Sequence, residues 1–270
     1  MKKIKDSHVL VIGSGPSIKK YWNKIENFIN NNNLVIFGCN YVTNFIIPDY
    51  HFWGSTKRLK KYGKFINKKS VVVTSEHLPK NEIRKYWKGK YKTFKIVERR
   101  WKRGSENKES KEYKRCRVYY KNGKMFGCFY DISSEAIFYA YVQGASKITV
   151  VGNDGYTLYP EKDLDQGKES QHCYGEGHTD GYTYQYCKRK DWDKYRTLNL
   201  LYKYGKKRYG FGFKIITPTI YDRFYDSMIL NIENNSKWQK WKEPKKKEYK
   251  KMYVKYLKNR KIGRDKDKIK

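Results

Sequence analysis

The five residues Gly13-Ser14-Gly15-Pro16-Ser17 combine types and spacing that suit a bound phosphate. Glycines let a backbone come close to a ligand, and exposed N–H groups at the start of a helix attract an anion. Proline fits a first helical turn, where its missing N–H costs nothing. The same residues also describe a tight β–α turn with no ligand. Ile18 stands where G-x-G-x-x-G needs its third glycine, and no Gly-Lys-Ser/Thr follows, so both common phosphate loops are excluded. Asn40 follows an apolar run and can bond a base or ribose, or simply make a turn. Asp154 can bind ribose hydroxyls or a metal, or cap the segment after it. Residues 155–186 are rich in His, Tyr and Gly, among them Tyr156, Tyr159, His172, Tyr174, His178 and Asp180. The stretch exceeds ordinary loop length, which suits a lid or catalytic loop. Imidazole is the side chain best matched to proton transfer near neutral pH. His172, His178 and Asp180 have a weak metal-ligand look, but H-x5-H is not a helical ligand spacing, and no metal is expected.

These groups need strand ends to hold them. Apolar runs His8-Val9-Leu10-Val11-Ile12, Leu34-Val35-Ile36-Phe37, Tyr50-His51-Phe52-Trp53, Val71-Val72-Val73-Thr74, Ile148-Thr149-Val150-Val151-Gly152 and Phe213-Lys214-Ile215-Ile216-Thr217 read as strands. Helices are expected over 18–28, 56–64, 80–87, 134–143, 192–204 and 221–232. The alternation predicts one Rossmann-like, doubly wound α/β domain with a mostly parallel sheet over 1–235. In such sheets ligands collect beyond the carboxyl ends of the strands. Two regions depart from the pattern: a basic, aromatic insert over 98–124, and a Lys-rich tail over 237–270 with Trp238, Trp241, Tyr249, Tyr253 and Tyr256 at roughly helical intervals.

The 61 Lys and Arg against 27 Asp and Glu leave a net charge of +34, which fits an anionic partner: nucleic acid, an anionic membrane surface or a phosphorylated substrate. Codon bias accounts for the excess equally well. An aromatic fraction of 17% keeps the chain out of the disordered class. The five cysteines form no C-x-x-C pair, which argues against structural zinc. No apolar stretch precedes the first strand and no run reaches membrane-spanning length, so neither a signal peptide nor a membrane span is expected. The expected location is the cytoplasm, with the tail able to sit at the inner face of an anionic membrane.

Taken together, several segments resemble a known group. Gly13-Ser14-Gly15-Pro16-Ser17 resembles the first-strand motif of the bacterial sialyltransferases of glycosyltransferase family 42. The motif is shared with motility-accessory glycosyltransferases and archaeal hydroxymethylpterin diphosphokinases. The resemblance continues through Val35-Ile36-Phe37-Gly38-Cys39-Asn40, the block from Ser133 to Tyr156, and His172-Cys173-Tyr174-Gly175-Glu176-Gly177-His178. Ser133-Ser134-Glu135 stands in a shifted register where the family has Thr-Ser-Gly.

The resemblance implies a nucleotide site made by Gly13, Ser14, Gly15, Asn40, Ser133, Ser134 and Asp154. It implies that Tyr156 and Tyr159 hydrogen-bond the departing phosphate, and that His178 is the general base on the acceptor hydroxyl. The expected protein is then a metal-independent, inverting glycosyltransferase without cofactor. A nucleotide-sugar, sialic acid on CMP in the leading case, is its donor and a glycan its acceptor; homo-oligomerisation is left open. Two alternatives stand: a Mg²⁺-dependent diphosphotransferase of the hydroxymethylpterin type, and a nucleic-acid-binding protein, which no RNP, KH or zinc-finger pattern supports.

Overall fold

The β-branched and aromatic runs form the centre of one sheet. The computed structural model describes residues 2–89, 91–98, 118–127, 129, 131–158, 172–173 and 184–233. Among them are strands β1 (His8–Ile12), β2 (Leu34–Cys39), β3 (Tyr50–Trp53), β4 (Val71–Ser75), β5 (Tyr91–Glu98), β6 (Tyr119–Lys121), β7 (Lys124–Gly127), β8 (Lys147–Val151) and β9 (Lys214–Ile215). Their order is β6-β7-β5-β4-β3-β2-β1-β8-β9. Every pairing is parallel except β6 with β7. The chain is therefore α/β and Rossmann-like, as its alternation predicts.

Helices cover both faces. On one lie α1 (Ser17–Lys20) and α2 (Trp22–Asn30), packed with Leu10, Ile12, Leu34 and Ile36, and α3 (Thr56–Tyr62) and α4 (Lys80–Tyr86), packed with Trp53 and Val72. On the other lie α5 (Ile132–Val142) and α6 (Tyr184–Tyr209), against Val9, Val11, Val35, Phe37 and Phe52. Residues alternating along each strand thus feed two separate cores. Helix α5 is buried continuously from Ser133 to Tyr141, because it is apolar on every side and wedges between the sheet and α6. Burying a side chain such as Phe138 contributes about 1.5–3 kcal/mol.

Four expectations change. The helix expected over 18–28 is split at Tyr21, whose backbone leaves helical geometry. The helix expected over 192–204 begins earlier, at Tyr184, so 184–186 of the expected lid are helical. The helix expected over 221–232 is absent: only a 3-10 turn, Asp222–Phe224, forms there. Tyr225 bridges to Ile215 and Asp226 N–H donates to the Ile215 carbonyl, so β9 draws that backbone into pairing instead. The end of the expected insert over 98–124 is not irregular: it runs into the β6–β7 hairpin, which turns at Asn122-Gly123 with φ of 50° and 72°, the geometry of a tight two-residue turn. Residues 99–117, the tail 237–270, and Tyr159, Tyr174, His178 and Asp180 lie outside the described residues. No described helix is long and apolar enough to cross a membrane.

Candidate nucleotide site

Strand β1 lies between β2 and β8, so the chain leaves it in one direction and returns on its other side only at β8. That reversal is where doubly wound sheets open a crevice. A cavity of about 320 Å³ lies at this end of the sheet. Of the expected residues, Gly13, Ser14, Gly15, Asn40, Ser133, Asp154 and Tyr156 line it. Ser134 does not: it is fully buried, and its N–H and hydroxyl both donate to Asp131, the cap of α5, at 2.9 and 3.1 Å. The shifted register of Ser133-Ser134-Glu135 turns that serine into a helix-capping partner.

The glycine turn closes on β8. Gly13 N–H donates to the Val151 carbonyl and Gly15 N–H to the Gly152 carbonyl, each at 2.9 Å. A Cβ at Gly13 would strike the Gly152 carbonyl, and one at Gly15 would lie 2.5–2.7 Å from the Asp154 carboxyl group. These glycines are therefore required by the protein's own packing. Asp154 accepts from Ser17 N–H at 2.7 Å and from the Ser17 hydroxyl at 2.5 Å. Ile18 N–H donates to the Gly15 carbonyl. The amides expected to cradle a phosphate at the start of α1 are thus already engaged, and Asp154 caps α1 from across the sheet, not the segment after it. Burial pushes the Asp154 carboxyl up to about 6, against the pull of the two Ser17 bonds.

Asn40 ends β2 in the left-handed region, φ 58°, which asparagine tolerates. Its N–H donates to the Phe52 carbonyl, and its carbonyl accepts from His51 Nε2 at 2.5 Å. His51 is fully buried, and burial lowers it to about 4, so the ring is a neutral donor that fixes Asn40.

Asp191, buried on α6, accepts from Tyr156 N–H (2.8 Å), Thr157 N–H (2.7 Å), the Thr157 hydroxyl (2.8 Å) and the Tyr221 hydroxyl (3.0 Å). It pins the loop that carries Tyr156. Burial, and then the Asp131 and Asp191 charges, raise the Tyr156 phenol well above its ordinary value, so it stays a proton donor. Lys194, also in the cavity wall, has its Nζ 3.5 Å from Asp131. Burial alone would raise the Asp131 carboxyl; Lys194 and the bonds from Ser133 and Ser134 outweigh it and hold it low. The same ammonium favours the charged forms of Asp154 and Asp191.

The cavity wall also holds Arg58, Asp131 and Lys194, which no ligand-binding motif in the sequence marks, together with Glu135 and His172. His172 lies against Ser14 and Arg58, and Cys173 N–H donates to the Ser14 carbonyl at 2.8 Å, so this short piece of the long loop closes over the turn. Among the described residues, no three His, Cys, Asp or Glu come together as a metal-holding group.

Fold and cavity define an α/β protein with a polar cavity at the carboxyl edge of its sheet. The solved structure of MAf glycosyltransferase from Magnetospirillum magneticum AMB-1 is similar over 59% of this chain and 24% of that one, at 15% identity and a TM-score of 0.39. This chain thus spans about a quarter of that protein's length. No protein-family model and no curated protein matches the sequence.

Proposed function

We propose that the protein is a glycosyltransferase using a nucleotide-activated sugar, with sialic acid on CMP as its leading donor. The observation that carries this reading is the cavity at the β1/β8 reversal, whose wall brings Tyr156 together with Ser14, Asn40, Arg58 and Lys194. A leaving phosphate gains negative charge as the sugar departs, and a phenol with nearby cations can stabilise that charge without a metal. Inversion requires a base on the opposite face of the sugar; the sequence resemblance assigns it to His178, with Tyr159 supporting Tyr156. The diphosphotransferase alternative needs carboxylates to hold Mg²⁺. Of the wall carboxylates Asp131, Glu135 and Asp154, two serve the protein itself, Asp154 through Ser17 and Asp131 through Ser133, Ser134 and Lys194, and no specific observation favours that reading.

The test is donor hydrolysis across CMP-, UDP- and GDP-sugars, with and without EDTA. Cleavage of one CMP-sugar that EDTA leaves unchanged is the expected result; cleavage that needs Mg²⁺, or none in the panel, overturns it. For the tail over 237–270, truncation after Ser236 should abolish co-sedimentation with anionic liposomes at low salt while sparing activity on a soluble acceptor. Equal sedimentation of the two forms would dismiss membrane contact.

A further inference from the structure

The amides of Gly13, Gly15, Ser17 and Ile18 are engaged by the protein, so side chains at the turn become the main source of further donors for an anion. Two elements, α3 and the glycine turn, converge there on one imidazole. Arg58, from α3, places a guanidinium nitrogen 2.8 Å from His172 Nε2, and His172 Nδ1 lies 3.2 Å from the Ser14 hydroxyl oxygen. A guanidinium has N–H donors only. Nε2 therefore accepts, the ring is neutral, and its single N–H is on Nδ1, donated to Ser14. The tautomer follows from the partner's chemistry. Having accepted from His172, the Ser14 oxygen retains its own hydrogen as a donor. All three residues line the cavity.

We propose that Arg58 and Ser14 bind an anionic oxygen group of the ligand, a phosphate or a carboxylate, and that His172 is the positioning residue that orients both. The chain of donation runs one way, from guanidinium to imidazole to hydroxyl, so Ser14 offers the ligand a hydrogen. Such a wall offers donors and positive charge to an anionic acceptor and favours it over a neutral analogue. In this arrangement His172 is no general base, because the lone pair it would use is held by Arg58. The inference rests on reading the cavity as a nucleotide-sugar site.

Calorimetry tests it with inorganic phosphate, CMP, cytidine, and a carboxylated monosaccharide against its neutral parent. Arg58→Gln and Ser14→Ala should each weaken the anionic probe by roughly ten- to a hundredfold, the usual worth of a hydrogen bond to a charged group, and leave its neutral analogue unchanged. A loss confined to the CMP–cytidine pair assigns the array to phosphate; one confined to the sugar pair assigns it to carboxylate. The two substitutions should be coupled in a double-mutant cycle, and the coupling should vanish in His172→Gln, which keeps an acceptor for Arg58 but cannot reach Ser14. Melting curves verify folding, and Arg58→Lys serves as the second variant, keeping the charge while losing the fork. CMP binding indifferent to Arg58→Gln and Arg58→Lys, with no change in the sugar pair, overturns the array and leaves the nucleotide reading standing. Coupling that persists in His172→Gln overturns the role of the imidazole. Arg58-dependent phosphate binding with no affinity for CMP keeps the array and removes the nucleotide.

Discussion

The Asp154 carboxylate takes both hydrogen bonds that Ser17 can give, N–H at 2.7 Å and hydroxyl at 2.5 Å, across 137 positions of sequence. This contact, more than any ligand, explains why the turn between them is made of small residues. It ties the first helix of the fold to the loop after β8.

Gly15→Ala should therefore act on stability before it acts on binding. Its first side-chain carbon lies inside the contact distance of the Asp154 carboxyl group, and overpacking of this kind costs about 1–3 kcal/mol. Urea unfolding measures it. The penalty should shrink in an Asp154→Ser background, where the clash is gone; equal penalties in both backgrounds would detach Gly15 from Asp154.

Two buried groups should give stability opposing slopes with pH. The Asp154 carboxyl is raised from 3.8 to about 6, so the folded state keeps a proton that the unfolded chain has released, and stability falls as pH rises between those values. His51 is lowered from 6.5 to about 4, so on acidification the unfolded chain takes up a proton that the folded state refuses, and stability rises with pH between those values. Asp154→Asn should steepen the rise in melting temperature between about pH 4 and 6, and His51→Gln should flatten or reverse it. Parallel curves for wild type and both variants would refute this account.

Asp191→Ala should be the most disruptive change behind the cavity. It strands two amides, that of Thr157 buried and that of Tyr156 partly so, and two buried hydroxyls, each buried group costing about 1–3 kcal/mol when left without an acceptor. A loss of at least 3 kcal/mol in equilibrium unfolding is expected, with Tyr156 displaced. A variant as stable as wild type would mean the loop is held by other contacts.

Tyr156→Phe removes the phenol and little else. Turnover should fall by roughly 10²–10³-fold, the scale of a lost oxyanion donor, with nucleotide affinity retained. His178→Ala should cost roughly 10²–10⁴-fold in turnover and remove the acidic limb of the pH–rate profile. His172→Ala should instead weaken binding of the anionic ligand. Were His172→Ala to abolish the acidic limb while His178→Ala left it intact, the assignments would exchange.

Strands β1 to β4 and β8 were legible because buried parallel strands are nearly continuous apolar runs. Strand β5, Tyr91–Glu98, interleaves lysine and threonine with its apolar residues and hides in a Lys-rich chain. The β6–β7 hairpin did carry a readable signal, Asn-Gly between aromatic residues. In the site, Ser14, Asn40, Asp154 and Tyr156 follow strands, so topology alone brought them together. Arg58 and Lys194 are two among 61 Lys and Arg, and a basic residue on a helix says nothing of its direction in such a chain. Asp191 matters through the amides of Tyr156 and Thr157, far away in sequence, which no local spacing reports, whereas Asp131 caps α5 through Ser133 and Ser134, a pattern the local sequence does carry.

The position of β1 bears on how the chain is made. Its Val9, Leu10, Val11 and Ile12 are wholly buried, yet one edge pairs with β2 and the other with β8. During synthesis β1 and β2 emerge early, while the partner for the second edge, Lys147–Val151, arrives more than a hundred residues later. For that interval an apolar strand presents open backbone groups, the template on which nascent chains pair with one another. Slower translation would prolong this exposure and faster synthesis would shorten it. Recombinant yield should therefore respond to synthesis rate and chaperone supply more than to the stability of the finished fold.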